Sequence, residues 1–225
     1  MFIGSNPLFW GSKTCFSNQL DVFGDGSCVE LYKFNDTLLS ESGLYDGIGT
    51  DITYSTGKEG SAATFNGTTS QVSSLFHLNS ASAVSFHMYV SSINFYDKIL
   101  TEGLLANNYT VIDLSSTGTL RAISDSRDLV GGTIELISDV SPISTGAWIH
   151  VGVNFENTLE LFKDGSSLGS SAISVKPDNM SGTVLGYRLN SAPADTHFNG
   201  MIDNLRFFNR ELSQSEFLKL ATTCL

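Results

Sequence analysis

The sequence predicts an all-β fold: a two-sheet antiparallel β-sandwich with a short C-terminal helix. Three observations carry that reading. Short segments alternate apolar and polar residues with a period of two, turn signals punctuate them, and only one stretch has helical spacing. The composition agrees, with 21 Gly against 4 Pro and charged residues at only 16% of 225. A chain of this length suits one domain and buries roughly 70% of its unfolded surface.

Residues 1–27 read as an irregular N-terminal extension in which Phe2, Phe9, Trp10 and Phe16 are scattered among Gly, Ser and Asn. The sandwich is expected over 28–210, and a helix with a tail over 211–225. "CVELYKF" (28–34) opens it and "SAATFNG" (61–67) follows a glycine-rich loop. "AVSFHMYVSS" (83–92) sets Val84, Phe86, Met88 and Val90 on one face and Ser85, His87 and Tyr89 on the other. "KILTEG", "YTVIDLSS", "TLRAISD" and "GTIELISD" supply further short strands. "AWIHVGVNFE" (147–156) puts Ile149, Val151, Val153 and Phe155 inward, and Glu156-Asn157-Thr158 turns it into "LELFKDG" (159–165). "GTVLGYR" (182–188) and "NGMIDNLRFF" (199–208) complete the set. In "SQSEFLKLA" (213–221), Ser213 and Glu216 have the spacing of a capping box.

Charge narrows the partners. Acids outnumber bases 23 to 12 for a net charge of −11, which repels nucleic-acid backbones and anionic membranes. Neither is expected as a partner. The start "MFIGSNPLFWGSK" lacks the charged and apolar regions of a secretory signal, and no segment is long and apolar enough to span a bilayer as a helix. Cys15, Cys28 and Cys224 are odd in number and far apart. Free thiols from a reducing compartment, or one bridge from an N-terminal cysteine to Cys224, are the two readings.

Asp203 is the residue that asks for an explanation. Alternation places Met201, Asp203, Leu205 and Phe207 on one strand face, where an unpartnered carboxylate would be costly. Its partners are expected to be backbone N–H groups and a hydroxyl from the first strand or its loop, or else a cation.

Patterns of catalysis are sparse. "GSSLG" (165–169) has the G-x-S-x-G spacing, but Ser167 follows the Asp164-Gly165 turn of a hairpin rather than a strand-turn-helix elbow. Glu156, Glu160 and Asp164 are spaced across a turn and do not form a closely spaced run of acids on one strand. His77, His87, His150 and His197 lack metal-ligand spacing, and the sequons at Asn35, Asn66, Asn108 and Asn179 are no more than Asn-, Ser- and Thr-rich composition produces. The chain is therefore expected not to be an enzyme.

Five blocks in order resemble the laminin-G-like, concanavalin A-like lectin domains: "CVELYKFNDTLLSESGLYDG", "GKEGSAATFNGTTSQV", "VSFHMYV", "WIHVGVNFENTLELFKDG" and "FNGMIDNLRFFNRELSQSEF". The resemblance spans roughly residues 28–220 and implies a concanavalin A-like jelly roll. It also implies several candidate functions, because the family includes glycan-binding modules, adhesion domains, hydrolases and virion proteins. "DVFGDGSCVELYKF" (21–34) resembles the leader of bacteriophage virion proteins, which implies a structural, decoration or tail-associated protein on an extracellular particle. There the N-terminal extension would contact other virion proteins or further copies of the chain, and the sandwich would touch host surface glycans. His87 and Tyr89 are the candidate ligand-binding pair, an imidazole beside an aromatic ring that can stack on a sugar. The resemblance also allows a structural Ca²⁺, with Asp203 and Asp36 as its candidate ligands and Glu41 and Asp46 nearby. The alternatives are a calcium-dependent carbohydrate-binding adhesin and a glycoside hydrolase, which needs two carboxylates across a groove.

Overall fold

In a computed structural model, the residues described are 20–94, 96–105, 107–178, 182–187 and 196–222. Among these residues, sixteen strands and one α-helix follow in chain order. They are β1 (Cys28–Tyr32), β2 (Ile48–Thr50), β3 (Thr53–Thr56), β4 (Ser61–Asn66), β5 (Gln71–Leu75), β6 (Ala83–Val90), β7 (Asp97–Leu105) and β8 (Asn108–Leu114). Then come β9 (Thr119–Asp125), β10 (Ile134–Pro142), β11 (Trp148–Phe155), β12 (Thr158–Lys163), β13 (Ser166–Ala172), β14 (Thr183–Leu185), β15 (Thr196–His197), β16 (Asn199–Phe208) and α1 (Gln214–Thr222).

The strands form two sheets. The first runs β13-β12-β11-β6-β16-β4-β3, with β1 also on β16; the second runs β10-β9-β8-β7-β14-β5-β2, with β15 on β7. The sequence-expected alternation holds in β6 and β11, whose inward Val84, Phe86, Met88, Val90, Val151, Val153 and Phe155 are all buried. They meet Leu100, Ile112, Leu114, Leu120 and Leu185 of the second sheet in one core. Burying side chains of this size contributes roughly 1.5–3 kcal/mol each relative to exposure. The sandwich is thus the two-sheet antiparallel architecture that the alternation predicts.

One expectation of face is corrected. Asn204 adopts a left-handed backbone (φ 52), a conformation in which Asn is enriched. There the β16 register against β6 slips between Asp203 and Arg206. This bulge adds one residue and reverses the parity of the strand. Leu205 and Phe207 join Ile202 in the core. Asp203 and Arg206 face the other way, opposite His87 and Ser85 of β6. The acid therefore does not sit among Leu205 and Phe207.

The outer face of the first sheet is covered at one end by α1. Phe217 and Leu220 pack with Phe162, Phe208 and Ala83, and Leu20, Val22 and Phe23 close the same cluster. The capping box forms: the Ser213 amide donates to Glu216 Oε2 at 2.8 Å, and the Glu216 amide to Ser213 Oγ at 3.4 Å. Cys28 is buried with a free thiol; Cys15, Cys224 and the aromatic residues of 1–19 lie outside the described residues.

Candidate functional site

The bulge sets a polar band across the outer face of the first sheet. In register across β11, β6 and β16 stand Trp148, Tyr89 and Met201, then His150, His87 and Asp203. The next row is Gly152, Ser85 and Arg206. The band ends in helix-covered apolar residues on one side and a half-buried aromatic pair on the other. Tyr89 and Trp148 have ring centroids 5.7 Å apart.

His87 is only 3% exposed. Burial, then the charges of Arg206 and Lys58, push its imidazole down to about 3, so the ring is neutral at neutral pH. It lies edge-on to His150 at 5.1 Å. Ser85 Oγ sits 2.7 Å from His150 Nε2. Burial first, with His87 and Arg206 adding to it, holds His150 well below the ordinary histidine value. Of the sequence-expected ligand pair, Tyr89 therefore offers a partly open ring, while His87 is closed off beneath its neighbours.

Asp203 is answered by the turn at 57–60, between β3 and β4, not by the first strand. Its Oδ2 accepts the Glu59 amide at 2.9 Å. Asn35 holds the other side of the same turn, its Oδ1 accepting the Ser61 amide at 2.8 Å. A Cβ at Gly57 would stand 2.7 Å from Asp203 Oδ2, so only glycine lets the turn close this tightly on the acid. Burial raises the Asp203 carboxyl to about 7 against the opposing pull of the Glu59, Asn204 and Lys58 amides. Asp36 is exposed beside Asn35. Calcium takes six to eight oxygens. Among the described residues, no three His, Cys, Asp or Glu side chains gather where they could hold a metal.

A second feature had no signal in the sequence. Where β5 pairs with β14 in the second sheet, a cleft of about 330 Å³ is lined by Tyr45, Ser73, Ser74, Leu75, His77, Gly182, Thr183 and Val184. Tyr45 is fixed twice: its carbonyl accepts from the Tyr32 hydroxyl at 2.7 Å, and its ring meets Phe76 edge-on at 5.0 Å. The imidazole of His77 is 45% exposed, and its Nδ1 lies 2.8 Å from Oε1 of the fully buried Glu102. The Thr183 hydroxyl donates to Glu102 Oε2 at 3.2 Å and accepts the Leu78 amide at 3.0 Å. A carboxylate behind Nδ1 places the proton there, which leaves Nε2 of the neutral ring as an acceptor. The lining thus combines one aromatic ring, the hydroxyls of Ser73 and Ser74 and an oriented imidazole held from behind by Glu102 and Thr183, the groups that recognise a polyol. None of its side chains is a carboxylate.

Known proteins share this architecture. Domain 4 of AbnA, a GH43 extracellular arabinanase from Geobacillus stearothermophilus seen with arabinotriose, superposes with a TM-score of 0.75 at 22% identity, over 87% of this chain and 98% of that one. The binding domain of Paraclostridial Mosquitocidal Protein 1 gives 0.70 at 17% identity, over 90% and 52%. A botulinum neurotoxin type C structure, whose cell entry depends on two ganglioside molecules, gives 0.65 at 16% identity, over 89% and 52%. The chain spans about half the length of these two toxin structures. No curated protein sequence matches it significantly. The concanavalin A-like lectin/glucanases superfamily profile matches residues 57–217, most of the chain and four of the five blocks that carried the resemblance, and the protein belongs to that superfamily.

Proposed function

We propose that the protein is a non-catalytic glycan-binding module that seats a neutral sugar residue in the cleft between β5 and β14. The observation that carries this is the cleft lining itself. Tyr45 offers a ring for stacking, His77 Nε2 and the Ser73 and Ser74 hydroxyls offer hydrogen bonds, and no acid pair lines the cleft for glycosidic cleavage. The arabinotriose bound by AbnA domain 4 and the gangliosides of the neurotoxin support a sugar ligand for this fold. Titration calorimetry against a panel of neutral oligosaccharides tests it. A binder should lose about five- to thirtyfold in affinity on Tyr45→Ala or His77→Ala, each contact being worth on the order of 1–2 kcal/mol. Unchanged affinity in both variants would remove the cleft from consideration.

A second location is favoured by the Tyr89–Trp148 pair, whose half-buried rings form a platform on the outer face of the first sheet. Loss of binding on Tyr89→Ala but not on Tyr45→Ala would move the site there.

The wider reading sets this module on a bacteriophage particle, held by its N-terminal extension, residues 1–27, to other virion proteins or to further copies. The resemblance of residues 21–34 to virion leaders supports it. Deleting residues 1–20 should abolish assembly and leave the β signature of circular dichroism intact; assembly of the truncated chain would end that reading. A calcium-dependent surface adhesin is the alternative, with the ion at Asp203 and Asp36.

A further inference from the structure

Eight buried side-chain nitrogen and oxygen atoms among the described residues have no hydrogen-bond partner, and six of them belong to four neighbouring side chains. These are both ring nitrogens of His87, Nδ1 of His150, Oδ1 of Asp203, and Nε and Nη2 of Arg206. All four residues are at most 3% exposed. Buried polar groups are normally satisfied, so a concentration of unsatisfied ones marks a place built around something else.

Charge says what that is. Arg206 keeps its guanidinium at any ordinary pH, and its one hydrogen bond is a 3.4 Å contact from Nη1 to the Asn204 carbonyl. No carboxylate lies within ion-pair distance of it among the described residues. An unpaired buried cation is among the costliest arrangements a core can contain. Asp203, the nearest acid along the strand, points Oδ2 at the 57–60 turn instead. His87 contributes a second donor, because a neutral imidazole always carries one N–H and neither ring nitrogen here is satisfied. A cation would be repelled by the guanidinium. A large ligand has no room beside Arg206 and His87, which are 1% and 3% exposed.

We propose that the outer face of the first sheet holds one small monovalent anion, of the halide class, between the guanidinium of Arg206 and the imidazole N–H of His87. The site is separate from the sugar cleft and does not depend on it. The charged and titratable groups that act on Arg206 and His87 are Cys28 from β1, His150 from β11, Asp203 from β16, and Lys58 and Glu59 from the turn.

The test is thermal melting of the full chain at constant ionic strength, exchanging chloride or bromide for gluconate, in wild type and in Arg206→Met. Wild type should rise by about 3–5 °C for each tenfold increase in halide above half-saturation. The rise should vanish in Arg206→Met. Crystals grown in bromide should show one anomalous peak beside Arg206, which decides the matter if the variant does not fold. Identical melting in halide and gluconate, a halide response that survives Arg206→Met, or water alone beside the guanidinium would each overturn the proposal.

Discussion

The amide of Glu59 donates to Oδ2 of Asp203 at 2.9 Å across 144 residues of sequence. That bond closes the β3–β4 turn over the outer face of the first sheet and holds an acid where burial raises its carboxyl to about 7.

A pH prediction follows from its sign. The folded value lies above the unfolded 3.8, so below that value both states are protonated and the group costs nothing. As pH rises toward 7 the unfolded state ionises first, and stability is lost through that window. The full loss is on the order of 4 kcal/mol. His87 works oppositely: held down at about 3, it lowers stability as pH falls below 6.5. Asp203→Asn keeps an acceptor for the Glu59 amide and removes the charge. Urea unfolding from pH 4 to 8 should show the variant gaining on wild type by a few kcal/mol; a constant difference would contradict the raised value.

Packing of α1 depends on a missing Cβ. At Gly152 an added Cβ would lie 2.3 Å from Phe217 Cδ1. Gly152→Ala should therefore lift the helix and cost about 1–3 kcal/mol, read as a lower melting temperature with unchanged β content. Phe217→Ala in the same background should add less than it does alone, because the two changes share one contact.

Behind the cleft, Glu102→Gln should weaken sugar binding without touching the sugar. The neutral amide no longer holds the proton at His77 Nδ1, so Nε2 loses its fixed role as an acceptor. Affinity should fall several-fold while His77→Ala in the Gln background adds little. Independent losses from the two substitutions would mean that Glu102 acts only on stability.

Calcium at Asp203 and Asp36 makes a distinct claim. If the ion is structural, millimolar calcium raises the melting temperature and chelation reverses it. Asp203→Asn abolishes the response. No shift between chelated and calcium-loaded protein would dispose of the ion.

Much of the fold was readable along the chain because it is written in local alternation. The two faces of β6, the β11–β12 hairpin and the Ser213–Glu216 cap each depend on residues within a few positions of one another. The face of Asp203 was not readable, because parity counting assumes an unbroken pleat and the left-handed Asn204 adds a residue that no composition signal announces. The short β2, β3 and β5 were also missed, since "IGT", "TYST" and "QVSSL" offer little apolar alternation. The cleft could not be found this way at all. Tyr45, His77, Glu102 and Thr183 meet only because β14 inserts between β5 and β7.

The closing strand has a consequence for how the molecule is made. β16 pairs with β6 along one edge and with β4 and then β1 along the other, so three strands synthesised earlier share a neighbour that is made after all of them. Until residue 208 has left the ribosome, β1, β4 and β6 wait with open edges, and open edges recruit other chains. A polypeptide stopped short of β16 would retain most of the sequence but none of the strand that joins its first sheet.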